Sequence, residues 1–397
     1  MASAYFLRIE HPHLGLSVEL LNLVPALGVT DLAQLSTRLL GAIVIAAKRG
    51  HSVIRDALGF AALLVVALAC AAKARHAPAP ILPPTAYADA VARIAQRQAA
   101  DDSVVAHGGR SILMTHGSRT PRVYVLLNGL TDSPIQLQSL GERLYDTGDN
   151  VYIPRLPHHA ERVAPVRTLG RVRATELASF GDSVVDTARG LGDTVIVAGL
   201  SAGGSIAAHV AQTRREVRRA ILIAPAIAAG QLTEENGRAL VVLAGKLPDI
   251  TRTDKPDTTR PDFIQGLTTH GLAEVLRLGQ TVRQRAIDDP PAVAEIVFLL
   301  NELDHTVSEE ASMALAQSWF DHGARVVAYR FPRALKLPHN VMEIPQRGGN
   351  LDIVLPVVEA LVRATPPPST VELQQDPCGG FKCALRHAVQ GKKSNPD

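Results

Sequence analysis

Cysteine is scarce in this chain, with three in 397 residues, at Cys70, Cys378 and Cys383. Any internal bridge is therefore confined to one small loop between Cys378 and Cys383, which an exported protein could close. An excess of one charge is also missing. Forty-one basic against 38 acidic side chains leave a formal net charge of +3, too small and too dispersed for a nucleic-acid partner. No glycine-rich phosphate loop or dinucleotide fingerprint is present, and His158-His159 has no third metal ligand at a recognisable spacing. Neither a cofactor nor a metal is expected. The apolar run at 57–70 falls short of the about 20 residues that a spanning helix wants.

What the chain does have is a serine in a telling place. Asp193-Thr-Val-Ile-Val-Ala198 reads as a buried parallel strand and Gly204-Ser-Ile-Ala-Ala-His-Val-Ala211 as a helix packed on a sheet. Between them stands Gly199-Leu200-Ser201-Ala202-Gly203, the pattern of a nucleophile elbow that thrusts the serine hydroxyl clear of the sheet. A tight structural turn is the alternative. A serine nucleophile needs a histidine to take its proton and a carboxylate to orient that histidine, here in the order serine, acid, histidine. Asp304 follows the core strand 294–300 and is the candidate acid, with Glu302 its rival and helix capping its alternative role. His339, in the loop after the last strand 324–331, is the candidate base. His305 adjoins the acid, His322 precedes that strand and His387 sits in a polar tail. Ala202 and Leu130, in the loop after the strand 122–127, are the candidate amide donors for an oxyanion.

With these residues assembled, the chain resembles the α/β-hydrolase superfamily. It is most similar to the bacterial lysophospholipase, monoacylglycerol-lipase and serine-aminopeptidase-like branch. The likeness runs over roughly 104–364 and rests on Leu-Leu-Asn128-Gly-Leu-Thr-Asp-Ser-Pro, Asn150-Val-Tyr-Ile-Pro-Arg155-Leu-Pro-His158-His159, Gly199-Leu-Ser-Ala-Gly203-Gly, Glu302-Leu-Asp304-His-Thr-Val307 and Leu337-Pro-His339. Many members carry His-Gly where this chain has Asn128-Gly129, a change in the oxyanion loop and not in the base. The resemblance implies a serine hydrolase acting on small-molecule or lipid esters. A peptidase or amidase on the same triad, or a non-catalytic tethered binding protein, are the other readings.

Strands recurring near 122, 151, 194, 219, 295 and 325, alternating with helical stretches at 134–147 and 174–191, imply an α/β fold with a doubly wound, mostly parallel sheet. The segments 103–106 and 111–115 suggest an opening hairpin. The gap at 228–291 reads as a helical cap insertion over the active site. The expected domain is thus 93–366, with a polar tail at 367–397. Ahead of it, 53–69 reads as a signal peptide or membrane anchor, and Ala67-Leu-Ala69-Cys70 resembles a bacterial lipobox with Ala67 in place of leucine. That pattern makes Cys70 a candidate lipidation site, 70–92 a tether, and the cell envelope the expected location. Residues 1–52 form a leader that fits no signal peptide, and a start near Val53 would explain it. Nothing in the sequence sets an oligomeric state.

Overall fold

The computed structural model describes residues 7–11, 16–20, 85–106, 108–230, 232, 234–255, 263–343, 348–369 and 373–375. The chain divides into two units, 1–78 and 79–397. In the first, β1 (Leu7–His11) and β2 (Leu16–Leu20) form an antiparallel hairpin with Leu7 opposite Leu20. The other residues of the expected leader, the 53–69 segment and Cys70 lie outside the described residues, as do Cys378 and Cys383. Among the described residues no helix is long and apolar enough to cross a membrane.

In the second unit, apolar runs with little polar alternation demand burial on both faces. β4 (Thr120–Leu127), β5 (Asn150–Ile153), β6 (Gly192–Leu200), β7 (Val217–Ile223), β10 (Glu295–Asn301) and β11 (Arg325–Phe331) meet that demand as parallel strands. β3 (Ile112–Met114) and β12 (Gln374–Gln375) pair antiparallel at the two edges, giving the order β12-β11-β10-β7-β6-β4-β5-β3. Alternate strand residues feed two cores. Val125, Val197, Leu222 and Phe298 face one layer of helices: α1 (Tyr87–Val104), α4 (Ala174–Ala188), α5 (Ala202–Thr213), α7 (Thr269–Asp288) and α8 (Glu309–Asp321). Leu126, Ala198, Ile223 and Leu299 face α2 (Gln138–Tyr145) and α9 (Leu351–Arg363) on the other side; α3 (Pro165–Thr168) is a single turn between β5 and α4. After β4 the chain winds outward to β5 and then crosses back to β6. The strand order reverses between β4 and β6, and ligands bind at such a switch point, at the carboxyl ends of the strands.

Four expected boundaries change. The hairpin of 103–106 with 111–115 does not form, because α1 runs through Ser103 and Val104 and β3 pairs with β5 instead. The buried Asp101 carboxylate accepts from the Ser111 amide at 2.9 Å and its hydroxyl at 2.7 Å, which turns the chain at that point. The tether ends before residue 93: Ala90 and Ile94, four apart on one face of α1, are wholly buried, and the Thr85 hydroxyl donates to the Asp186 carbonyl at 3.2 Å. The stretch 228–291 is not all cap. α7 buries Val275, Leu278, Val282 and Ala286 in the core against α4 and α5, so it is a crossover helix of the sheet. What stands outside is α6 (Glu234–Ala244) and a small hairpin of β8 (Thr251–Thr253) with β9 (Gly266–Thr268). Finally, the tail contributes β12, whose residues pair with Tyr329 and Arg330.

Candidate active site

β6 ends at Leu200 and α5 begins at Ala202, leaving Ser201 alone in the turn with φ 55° and ψ −111°. A side chain in that left-handed region is strained and persists only when its surroundings over-determine it. Here they do. The Ser201 amide donates to the Ile223 carbonyl at 2.9 Å, and the Ser201 carbonyl accepts from Ser205 and Ala226 at 3.0 and 3.1 Å. The flanking glycines are required by close approach of backbone. A Cβ on Gly199 would lie 2.1 Å from the Gly203 carbonyl oxygen, and one on Gly203 would lie 2.1 Å from that of Leu127.

Three side chains distant in sequence meet at this turn. The Ser201 hydroxyl is 2.9 Å from Nε2 of His339, and His339 Nδ1 is 2.7 Å from Oδ2 of Asp304. A neutral imidazole protonated on Nδ1 donates to Asp304 and accepts from the serine, as a general base must. Asp304 is 5% exposed at its side chain and His339 20%, so the acid is shielded while the base stays open to a substrate. The other Asp304 oxygen accepts from the amides of Thr306 and Val307 at 2.8 and 3.3 Å, which fixes the carboxylate. The helix-capping duty goes to Ser308, whose hydroxyl accepts from the Ala311 amide. Glu302, the rival acid, accepts instead from the Arg333 amide at 2.8 Å.

Ala202 directly follows the serine, and Leu130 follows Gly129, whose backbone comes close to Ser201. Ala202 opens α5, and a Cβ on Gly129 would be 3.8 Å from that of Ser201. Neither the Leu130 nor the Ala202 amide donates to an acceptor among the described residues, so both suit an oxyanion.

A polar network behind this loop escaped the sequence reading. The Gln136 carbonyl oxygen accepts from the Gly129 amide at 2.9 Å, and its NH2 group donates to Asp132 at 2.7 Å. Asn128 donates to the carbonyls of Gly129 and Asp132, both at 2.9 Å. Asn340, next to the base, donates to Asp132 at 3.4 Å and to Glu343 at 3.2 Å. Sequence offers no signal for such bonds beyond polar residues near a glycine turn.

The histidine pair separates. His158 pairs with Glu176 at 3.1 Å and lies 3.7 Å from Glu161. His159 turns inward against the Leu130 backbone and donates from Nδ1 to the Pro157 carbonyl at 2.8 Å; burial pushes its imidazole down to about 4. His305 is exposed, His322 reaches the Ile287 carbonyl at 3.2 Å, and His387 is outside the described residues. The cap stems are tied to the site. The Ile264 amide donates to the Thr131 carbonyl at 2.8 Å, and the Gly230 amide to that of Thr306 at 3.0 Å.

A model of the alpha/beta hydrolase family matches residues 104–345. No curated protein matches the chain. Among solved structures, one from work on LipS and LipT, two metagenome-derived lipolytic enzymes, is 17% identical with a TM-score of 0.49, covering 66% of this chain and 99% of its own. A monoacylglycerol lipase of Paleococcus ferrophilus is 17% identical with a TM-score of 0.49, covering 64% and 99%. A soluble variant of a Saccharomyces cerevisiae monoglyceride lipase is 13% identical with a TM-score of 0.47, covering 64% and 91%.

Proposed function

The chain belongs to the alpha/beta hydrolase family, and we propose that it cleaves carboxylic esters through an acyl-enzyme on Ser201. The single observation that carries this reading is the continuous relay Ser201–His339–Asp304, at 2.9 and 2.7 Å. As Ser201 attacks the ester carbonyl, its proton passes to Nε2 of His339, and Asp304 stabilises the imidazolium that forms. The carbonyl oxygen becomes an oxyanion held by the Leu130 and Ala202 amides. His339 then returns the proton to the departing alkoxide, leaving the acyl group on Ser201. Water, deprotonated by the same imidazole, attacks the acyl carbonyl; the proton passes back to Ser201 as the acid is released. An alkoxide needs less protonation to leave than an amine, which favours esters for an unassisted relay.

The experiment is a p-nitrophenyl ester series of increasing acyl length, run beside aminoacyl-naphthylamides on the same protein. Ester turnover that Ser201→Ala abolishes, with the amides left intact, is the expected result. Turnover of the amides at a higher kcat/KM than any ester would replace the ester reading with a peptidase one.

The proposed location is the cell envelope, through acylation of Cys70, and the Ala67-Leu68-Ala69-Cys70 pattern supports it. Two or three acyl chains hold a protein firmly to a membrane where one does so marginally. Mass spectrometry of the native protein should find Cys70 as an acylated amino terminus. A membrane-fractionating protein without acyl mass on Cys70 would overturn this.

A further inference from the structure

The amino-terminal edge of the sheet, at the opposite ends of the strands from Ser201, carries a row of charges. Glu295 opens β10 and stands in register between Arg219 of β7 and Arg325 of β11. Its carboxylate is shared by three guanidiniums: Arg218 at 2.9 Å, Arg219 at 3.2 Å and Arg325 at 3.6 Å. One acid against three permanent cations leaves two positive charges in excess. Arg219 is the inner one, with its side chain 15% exposed. Its Nε is buried and has no hydrogen-bond partner. Burial also holds Arg219 below the usual arginine range, so an additional anion beside it would be stabilising.

A cavity of about 440 Å³ lies against this row, within the range of small-molecule sites. Besides Arg219, Glu295 and Arg325 it is lined by Val297 and Val327 on the sheet and by Leu361 of α9. Pro366 and Pro367, just past the end of α9, form part of its rim. One side therefore carries two guanidiniums and a carboxylate, and the other is largely hydrocarbon, with Tyr329 and Thr365 also in the lining. A guanidinium fork matches the planar carboxylate geometrically, and the hydrocarbon wall disfavours a strongly hydrated ion with no apolar part. We propose that this cavity binds a carboxylate carried on a compact apolar body, with Arg219 as its anchor. The site is separate from the catalytic relay and does not depend on the ester reading.

Isothermal titration of the full chain with cyclohexanecarboxylate tests it. The expected result is one saturable site, weakened at least tenfold by Arg219→Met and less by Arg219→Lys, which keeps the charge but loses the fork. Val327→Phe, which narrows the cavity and leaves the charge row intact, should weaken binding as well, and it carries the test if Arg219→Met does not fold. Ester turnover should be unchanged in all three variants. Absence of saturable heat, or wild-type affinity in either Arg219→Met or Val327→Phe, would overturn the proposal. Competition by inorganic phosphate or chloride as strong as by a second carboxylate would reduce the cavity to an unselective ion site and overturn it too.

Discussion

The nucleophile turn and the cap are built on opposite principles. Around Ser201 the backbone is held by at least three hydrogen bonds in a strained conformation, and α5 behind it is buried from Ala202 to Gln212. The cap exposes Val242 and Leu243 on α6, each 52% accessible, and every residue of β8. Among the described residues its stems, at Ala228, Gly230 and Ile264, bond to the acid loop and the oxyanion loop. Reacting groups must be fixed to a fraction of an ångström, so they sit where packing leaves no freedom. Recognition tolerates more movement, and in the proposed reading it would fall to the cap, much of which is exposed.

That contrast can be broken or sharpened by substitution. The largest effect belongs to the relay: Ser201→Ala and His339→Ala should each lower kcat by roughly 10⁶-fold, and the double variant no further, because nucleophile and base act as one unit. Their melting temperatures should match the wild type. Asp304→Asn should cost about 10⁴-fold in kcat, because the amide stabilises the wrong imidazole tautomer. Gly203→Ala attacks the framework instead. With 2.1 Å available to a new Cβ, it should destabilise the domain by more than about 4 kcal/mol, read by urea unfolding.

His159 sharpens the comparison through pH. Its folded pKa, about 4, lies below the unfolded value of 6.5. The stability tied to its neutral form is therefore whole above pH about 6.5 and is lost as pH falls toward 4, where the unfolded chain takes the proton first. Between pH 7.5 and 5 the wild type should lose about 2 kcal/mol more than His159→Gln, measured by urea unfolding at both pH values. The smallest effect belongs to the cap: Leu243→Ser, on an exposed face of α6, should change stability by less than about 0.5 kcal/mol.

The same division explains what could be read in the sequence. Ser201, Asp304 and His339 were legible because each follows a short apolar strand, and a parallel sheet delivers strand ends to one edge. The two-sided burial of β4, β6 and β7 made the α/β class legible for the same reason. The outer boundary of the cap was not. Thr269–Asp288 has the amphipathic pattern of either a lid or a crossover helix, and only its burial against α4 and α5 tells them apart. α1 was missed because its run of alanine and polar residues resembles a tether, and Ala90 with Ile94 is too slight an apolar stripe to announce a core contact. The bonds among Asn128, Asp132, Gln136 and Asn340 join residues up to 208 positions apart in sequence, a pairing that no local pattern encodes.

The central claim is that Ser201 is a nucleophile activated by His339. Incubation with a fluorophosphonate followed by peptide mass spectrometry addresses it at the atom concerned. One phosphonyl adduct should appear, on Ser201, at a rate that His339→Ala reduces by several orders of magnitude, and Ser201→Ala should remain unlabelled. An adduct on any other residue, or labelling of Ser201→Ala at the wild-type rate, would contradict the account.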